Sequence, residues 1–375
     1  MSRALTRVLH VGKFYPPVHG GMEQVLRSLC QATRGRLDSR VLVFNDAPRT
    51  VREVVDGIPV TRLASFAPAR STPIATSMSG ELRHTDADVI ILHEPNPWAL
   101  VSCALARPQQ PLAVWFHSEV IRPALQFALF YHPLVRLVYP RARRILVSSP
   151  ALAGHAKVLA PYRDRVTVIP FGIDASRWQA TPPIAARARD ITAGVEGRPL
   201  ILFAGRLVEY KGVDVLLRAL AGLDAHGVIA GDGPLRGHLT ELAHTMGLSS
   251  RVRFTGEIPH DELVALYHAA DVFVLPSVTR AEAFGYVQLE AMAAGTPIVS
   301  TRLESGVPWV NQDGITGLTV TPGNAAELRD ALHALLSDRP RRERMADAAR
   351  QRVTHEFSLE RMGDRLVSVV DELAG

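Results

Sequence analysis

The chain has 375 residues, of which 47% are hydrophobic and 21% charged, a composition typical of a globular protein with apolar residues enough for two cores. No stretch approaches the roughly 18 uninterrupted apolar residues of a membrane-spanning helix, and the N-terminal segment lacks the apolar length and cleavage site of a signal peptide. Cys30 and Cys103 stand singly in apolar stretches without metal-type spacing, which predicts buried, reduced thiols. We therefore expect a cytoplasmic protein.

The net charge of +5 is unevenly distributed along the chain. Residues 1–174 contain 21 Lys and Arg against 12 Asp and Glu, whereas residues 175–375 contain 21 against 25. The high pI reflects arginine usage and does not require a nucleic-acid partner. Residues 127–144 interleave aromatic and aliphatic residues with arginines, as a helix on a membrane surface would, and as a core-facing helix with a solvated basic end would too. A peripheral contact with the inner face of the cytoplasmic membrane is therefore one expectation.

In the first half of the chain, short β-branched runs alternate with longer periodic segments. The runs have the residue types of strands buried on both faces, and the periodic segments those of helices, so the pattern predicts a parallel sheet of Rossmann type. The predicted strands are 7–12, 40–45, 88–94, 112–117, 144–149 and 166–172, and the predicted helices are 21–35 and a segment around 122–139.

The same alternation restarts after a turn-rich segment, 169–183. We therefore predict an α/β protein with two doubly wound domains, a hinge near 170–175 and a ligand site in the cleft between them, because ligands of such sheets bind beyond the carboxyl ends of the strands. The predicted strands are 200–206, 227–233, 252–256, 272–277, 297–301 and 317–320, and the predicted helices are 211–222, 234–247, 260–270, 286–294 and one from 324.

Two cations flank a predicted strand-to-helix turn in the second half, in the segment FAGRLVEYKG. Arg206 leaves the strand and Lys211 opens the next helix. This placement suits a phosphate, because a helix N-terminus adds N–H donors to the fixed charges. A basic loop that forms salt bridges with its neighbours is the alternative.

Two glutamates stand eight residues apart in EAFGYVQLEAMAAGTP. We place Glu282 in a loop and Glu290 more than one turn inside the helix 286–294. An acid within such an apolar helix is costly to bury without a partner, which indicates a binding role. The alternative is one acid that caps the helix and one that bonds to backbone.

Two further patterns suggest other chemistry. GDGPLRG (231–237) imitates the fingerprint of a dinucleotide-binding dehydrogenase, but no acidic residue ends the next strand, where a ribose ligand would stand. DAD (86–88) imitates a metal-binding D-x-D motif, yet it precedes a strand instead of following one, so we interpret it as a solvated turn.

Taken in order, these segments resemble the retaining GT-B glycosyltransferases of family four, whose hallmark is E-x-F-G followed by four residues and a second Glu. GKFYPPVHGGMEQ is similar to the family's N-terminal glycine loop, FHSE to its mid-domain histidine, AGRLVEYKG to its phosphate pair, and GDGP with FTGEIPHDEL to its base-binding edge. The resemblance implies a GT-B fold of two Rossmann-like domains facing a central cleft. It places an acceptor-side domain in 1–172, a nucleotide-sugar-binding domain in 173–357, and a C-terminal helix in 358–375 that packs back on the first domain.

The resemblance also implies roles for matching residues. Arg206 and Lys211 would hold the donor diphosphate, Glu290 the ribose hydroxyls, and Glu282 the donor sugar. His117 would lie beside the sugar as a hydrogen-bond partner or general base, with a satisfied core histidine as the alternative. The expected catalytic residues are His117, Arg206, Lys211 and Glu282. The expected donor-binding residues are Gly20, Gly21, Gly205, Gly231, Gly256, Ile258, Ala283, Phe284, Gly285, Tyr286 and Glu290.

The segment RLESGVPWVNQDGITGLTV resembles the mannosyl- and rhamnosyltransferase branch that builds bacterial surface polysaccharide and lipopolysaccharide. The implied donor is GDP-mannose or GDP-D-rhamnose, and the implied acceptor is a glycan or a lipid-linked oligosaccharide. No cofactor or metal is expected, because the two cations stand where a metal ion would act. A UDP-sugar donor and a sugar-nucleotide epimerase of the same fold remain alternatives.

Overall fold

A computed structural model describes residues 4–18, 20–66, 73–119, 125–195 and 197–375, with the backbone alone for residues 125–130. The chain divides into two compact units. Unit 1 comprises Met1–Gly172 and Leu359–Gly375, and unit 2 comprises Ile173–Ser358.

Unit 1 is built on an eight-stranded sheet in the order β3-β4-β2-β1-β5-β6-β7-β8. All neighbours pair in parallel except β3 and β4, which form an antiparallel hairpin at one edge that the sequence analysis did not predict. The strands are β1 (Thr6–Val11), β2 (Leu37–Phe44), β3 (Val51–Val55), β4 (Ile58–Leu63), β5 (Val89–Glu94), β6 (Leu112–Phe116), β7 (Ala142–Val147) and β8 (Val166–Val168). The helices are α1 (Gly21–Ala32), α2 (Met78–Arg83), α3 (Pro97–Ala106), α4 (Leu125–Val138) and α5 (Pro150–His155).

Unit 2 has a six-stranded parallel sheet in the order β11-β10-β9-β12-β13-β14. The strands are β9 (Leu200–Ala204), β10 (His226–Ala230), β11 (Val252–Gly256), β12 (Val272–Leu275), β13 (Ile298–Thr301) and β14 (Gly317–Val320). The helices are α6 (Pro182–Ala193), α7 (Val213–Ala221), α8 (Arg236–Thr245), α9 (His260–Ala269), α10 (Val287–Ala294), α11 (Val307–Val310), α12 (Ala325–Leu336) and α13 (Arg339–Glu356).

The central strands of both sheets are mostly apolar, with the polar residues of β5, His93 and Glu94, at its carboxyl end. β5 and β9 are buried at every residue, because helices cover both faces of a parallel sheet. The two free cysteines, Cys30 and Cys103, are buried, as predicted.

Helix α6 was not predicted, because the double proline was interpreted as a turn. Pro182 and Pro183 instead begin the helix, because proline needs no N–H partner there and its fixed φ suits a first turn.

The last helix, α14 (Leu359–Ala374), packs on unit 1. The Arg36 guanidinium on the α1–β2 connection bonds to Asp364, and the Gly172 N–H donates to Met362 Sδ at 3.2 Å.

The basic segment 127–144 is not one continuous helix: α4 confirms the predicted helix, but the last arginines of the segment lie beyond it. Of the predicted helix around 122–139, residues 122–124 lie outside the described part of the chain, and α4 ends at Val138. Arg143 and Arg144 belong to β7, where Arg144 pairs with Glu372 of α14. Strand pairing with β6 and β8 decides their conformation. Within the described ranges, no helix has both the length and the apolar content to cross a membrane.

Candidate functional site

Three glycines end neighbouring strands of unit 2. Gly205, Gly231 and Gly256 follow or close β9, β10 and β11, all with positive φ. A Cβ on Gly231 would stand 2.2 Å from the carbonyl oxygen of Gly205, so these two backbones approach too closely for any side chain. The glycines leave the backbone bare at the carboxyl ends of the strands, where α/β sheets bind ligands.

Lys211 and Glu282 form a buried ion pair beside this edge. The Lys211 Nζ lies 2.5 Å from Glu282 Oε2, and each side chain is only 10% exposed. The Ser277 hydroxyl donates to the same oxygen at 3.0 Å. Burial alone would lower the pKa of Lys211, but the charge of Glu282, with smaller contributions from Tyr210 and Glu290, raises it. The site therefore holds a permanent, partly desolvated cation.

Arg206 differs from Lys211 in its surroundings. It lies directly after β9 and is exposed, and its guanidinium makes no ion pair or hydrogen bond with any described residue. Of the two cations, only Lys211 therefore fits the alternative of a basic loop that forms salt bridges with its neighbours. Arg206 retains five N–H donors for an anionic ligand.

Glu290 lies in the first turn of α10 and not deeper, because the helix begins at Val287, with Tyr286 as its N-cap. The helix begins one residue later than predicted, which places Glu290 at the end of its first turn instead of beyond it. The Tyr267 hydroxyl donates to Glu290 Oε2 at 2.9 Å. Burial raises the pKa of Glu290 to about 7, although the Tyr267 hydrogen bond and the Lys211 charge oppose the shift. Neither alternative role, a cap or a backbone-bonded core acid, describes this carboxyl.

The loop between the two glutamates is held rigidly. Gly285 has φ +73°, and a Cβ there would meet Gln288 Nε2 at 2.6 Å and Leu275 Cδ2 at 2.7 Å. The Gly306 N–H donates to the carbonyl oxygen of Ala283 at 2.7 Å. The ring of Phe284 packs edge-on against Trp309 and Phe357. The segment RLESGVPWV thus supports the Glu282 loop directly.

Ile258, expected at the base-binding edge, lies partly buried in the loop between β11 and α9. In unit 2, Lys211 therefore pairs with Glu282 and interacts electrostatically with Glu290, while Arg206 precedes Lys211 on the connection that leaves β9.

In unit 1, Gly20 and Gly21 begin α1 and are exposed, and a Cβ on Gly21 would have open space around it. Two residues that the sequence analysis did not select lie near them. Glu23 in the first turn of α1 is buried, which raises its pKa, and it interacts electrostatically with Lys13 after β1. Burial lowers the pKa of Lys13, while Glu23 opposes the shift.

His117 follows β6 and is buried, at 5% exposure. Its Nε2 lies 2.9 Å from His93 Nδ1, and His93 Nε2 lies 3.1 Å from His10 Nδ1. The Trp115 ring is nearly parallel to the rings of His93 and His117, at 10° in each case. The sequence analysis missed His10 and His93, although both stand in buried strands that it predicted.

Glu94, the last residue of β5, is a second missed carboxyl and is fully buried. Its Oε2 accepts from the Asn96 N–H at 2.9 Å and from the Tyr131 hydroxyl at 3.2 Å, while its Oε1 has no hydrogen-bond partner within the described ranges. Burial raises the pKa of Glu94 to about 8, so the carboxyl is mainly protonated at neutral pH.

The two competing motifs occur in other structural contexts. Asp86 and Asp88 pair with Arg7, and Asp86 also with Arg40, so this D-x-D is neutralised by arginines. Asp232 of the GDGP segment pairs with Arg236 in the first turn of α8. Across the described part of the chain, no three His, Cys, Asp or Glu residues are grouped as metal ligands would be.

The chain thus has two α/β units built on mainly parallel sheets, and unit 2 carries charged residues beyond the carboxyl ends of its strands. These features define the class of Rossmann-like, two-domain proteins. Residues 19–177 match the family model described as Glycosyltransferase Family 4, and residues 186–352 match that of Glycosyl transferases group 1. The chain is 32% identical over 356 residues to D-rhamnosyltransferase WbpZ of Pseudomonas aeruginosa, covering 94% of this chain and 92% of that protein. It is 30% identical over 372 residues to O-antigen chain mannosyltransferase C of Escherichia coli, covering 98% of each.

Among solved structures, Anabaena Alr3699/HepE in complex with UDP aligns with a TM-score of 0.81 at 22% identity, over 98% of this chain and 100% of that one. This likeness supports the GT-B fold. The chain belongs to the family 4, group 1 glycosyltransferases of GT-B fold, and it is an enzyme of that class.

Proposed function

We propose that the protein transfers mannose or D-rhamnose from a GDP-sugar to a glycan or lipid-linked oligosaccharide in bacterial surface polysaccharide synthesis, with retention and without a metal ion. The observation that carries the proposal is the arrangement in unit 2, where an unpaired Arg206, a buried Lys211 and two glutamates stand beside bare glycine backbone. Relatives along nearly the whole chain carry the names of D-rhamnosyl- and mannosyltransferases.

In the proposed reaction, charge separates as the anomeric carbon becomes oxocarbenium-like and the nucleoside diphosphate leaves with its negative charge. Arg206 and Lys211 stabilise the diphosphate where that charge develops, and the first turn of α10 adds the positive end of a helix dipole. Such preorganised charges act without a metal ion. In a front-face attack, the leaving phosphate accepts the proton of the acceptor hydroxyl, and the configuration is retained.

The remaining residues bind and orient the donor. Glu290 accepts hydrogen bonds from the ribose hydroxyls as a carboxylate, and Glu282 contacts the donor sugar from the rigid loop that Gly285 and Ala283 shape. In unit 1, Gly21 offers bare backbone to the donor phosphate, and His117 contacts the sugar. No cofactor takes part.

We also propose that the enzyme works at the cytoplasmic face of the membrane. Leu137 on α4 and Leu105 on α3 are large apolar residues left 53% and 63% exposed, and Arg136 beside Leu137 is exposed too. Such a combination favours contact with an anionic lipid surface. The sequence suggested Arg144 as one of the basic residues of this contact, but its charge is already paired with that of Glu372.

The donor is tested by thermal unfolding with GDP-, UDP-, ADP- and dTDP-sugars. A ligand that binds only the native state at 100 times its Kd stabilises it by ~2.7 kcal/mol, so GDP-mannose or GDP-D-rhamnose should give the largest shift. A larger shift with a UDP-sugar would overturn the GDP assignment in favour of the alternative that the UDP complex of HepE illustrates. Incubation with donor and a lipid-linked acceptor should yield glycosylated acceptor. Recovery of an isomerised sugar nucleotide without transfer would indicate an epimerase.

A further inference from the structure

Three imidazoles form a continuous hydrogen-bonded row across neighbouring strands of unit 1. His10 lies in β1, His93 in β5 and His117 directly after β6, which are adjacent in the sheet. The two N···N distances are 3.1 Å for His10 and His93 and 2.9 Å for His93 and His117, and the ring planes of these pairs are 40° and 19° apart. All three side chains are buried, at 0%, 3% and 5% exposure.

Both ends of this row carry an unpartnered nitrogen. His10 Nε2 and His117 Nδ1 are buried and have no hydrogen-bond partner among the described residues. The three rings are neutral at physiological pH, because burial lowers the pKa of His10 to about 4 and that of His117 to about 3, and places that of His93 well below its ordinary value. Each ring therefore has one N–H donor and one acceptor nitrogen.

Neutral rings in such a row allow only two arrangements of the protons. In the first, His10 donates to His93 and His93 donates to His117, which leaves a proton on His117 Nδ1 and a lone pair on His10 Nε2. In the second, every bond is reversed, so His117 Nδ1 carries a lone pair and His10 Nε2 a proton. The tautomer of His117 is thus coupled to that of His10, two residues along the row.

The surroundings of the two ends favour the first arrangement. An orphaned N–H is rarer in protein interiors than an under-satisfied acceptor. At fully buried His10, no described residue would accept from an N–H on Nε2, whether or not a ligand binds. His117 follows the carboxyl end of its strand, the edge at which α/β sheets bind ligands, so a ligand oxygen can satisfy the N–H there once the now buried Nδ1 is uncovered.

We propose that His93 and His10 are positioning residues that hold His117 as the Nδ1–H tautomer, so that His117 donates a hydrogen bond from Nδ1 to a hydroxyl oxygen of the donor sugar. The contact with the sugar rests on the proposed function, whereas the tautomer does not. Because Nδ1 already carries a proton and Nε2 accepts from His93, His117 is not the general base. The row also provides no path along which His117 could pass a proton to solvent, because His10 Nε2 at its far end has no hydrogen-bond partner in the described chain.

The tautomer is read directly from the full-length enzyme by NMR with ¹⁵N-labelled histidine rings, where protonated and lone-pair nitrogens have well-separated shifts. His117→Asn assigns the signals by their loss. The expected result is a protonated Nδ1 and an unprotonated Nε2 on His117 in the wild type, with no donor present. A protonated Nε2 would overturn the proposal, and it would do so without bearing on whether the enzyme transfers GDP-sugars.

Kinetics test the positioning role. His93→Phe keeps an aromatic ring but removes both bonds, and should lower kcat/KM roughly tenfold, the value of about one hydrogen bond, with Kd for GDP within twofold. His93→Asn places an amide donor where Nδ1 stands, so it should restore most of the loss. Trp115→Phe is the packing control, since Trp115 Nε1 makes no hydrogen bond with any residue that the structure describes and the row stays intact.

Equal losses in His93→Phe, His93→Asn and Trp115→Phe, in proportion to their melting temperatures, would overturn the positioning role in favour of a purely structural one. If His93→Phe does not fold, the NMR measurement of the His117 tautomer in the wild type decides the proposal.

Discussion

Replacing Lys211 with Met should destabilise unit 2 far more than replacing Arg206, although both are proposed to bind the same diphosphate. Lys211 Nζ lies 2.5 Å from Glu282 Oε2, and both side chains are 10% exposed. Without the ammonium, the Glu282 carboxylate retains the Ser277 hydroxyl as its hydrogen-bond donor in a poorly solvated position. Breaking one partner of a buried pair costs ~3–5 kcal/mol because a buried charge remains uncompensated.

The assay is thermal unfolding of the full chain without ligand, followed by circular dichroism. A destabilisation of this size corresponds to a drop in Tm of roughly 6–20 °C for a domain of about 150–250 residues. The double variant Lys211→Met with Glu282→Gln removes both charges and should recover most of the drop. Arg206→Met is the matched control, because Arg206 is exposed and makes no ion pair with any described residue, so its Tm should stay within about 2 °C.

Donor binding then separates stability from function. Arg206→Met and the double variant should both weaken GDP binding while remaining folded, because each lacks a cation at the proposed diphosphate site. Two results would refute the proposal that the Lys211 charge compensates the buried Glu282 carboxylate: an unchanged Tm in Lys211→Met, or a double variant as unstable as the single one.

Three further outcomes are expected. The pKa of Glu290 is raised to about 7, and its carboxylate is the proposed ribose ligand, so the Kd for the donor should fall as pH rises from 6 to 8. Glu290→Gln should abolish this pH dependence. Parallel pH profiles of Kd for the two proteins in calorimetry would contradict the assignment. The folded-state pKa of Glu94 is raised to about 8, so the native state holds its proton more tightly than the unfolded chain, and stability should decline between about pH 4.5 and 8 by an amount on the order of 5 kcal/mol. Glu94→Gln should therefore raise Tm at pH 9 and leave it unchanged at pH 4, and equal shifts at both pH values would exclude this cause. Arg136→Gln with Leu137→Ser should reduce binding to anionic vesicles in a salt-sensitive way, and equal binding of the wild type to neutral vesicles would count against the membrane contact.

Metal independence is the fifth prediction. EDTA should leave most transferase activity, because Arg206 and Lys211 supply the positive charge at the proposed diphosphate site. Loss of activity in EDTA that Mn²⁺ restores would contradict it.

The sequence by itself determined the repeated strand and helix pattern and the order of the motifs. β9 is apolar at every residue, and β5 is apolar over its first four residues, a local pattern typical of a sheet buried on both faces. The pair Glu282 and Glu290 was recognisable because its spacing lies within one short segment. Local composition also located Arg206 and Lys211 after a strand.

The tertiary structure alone decided which of these groups contact one another. Lys211 and Glu282 are 71 residues apart in sequence, and their pairing depends on two loops that leave neighbouring strands, β9 and β12. The basic charge of Arg144 is neutralised by Glu372 from the last helix, which no local pattern predicts. His10, His93 and His117 become a single unit only because β1, β5 and β6 are adjacent in the sheet, and strand order arises from the packing of the whole unit rather than from any one segment.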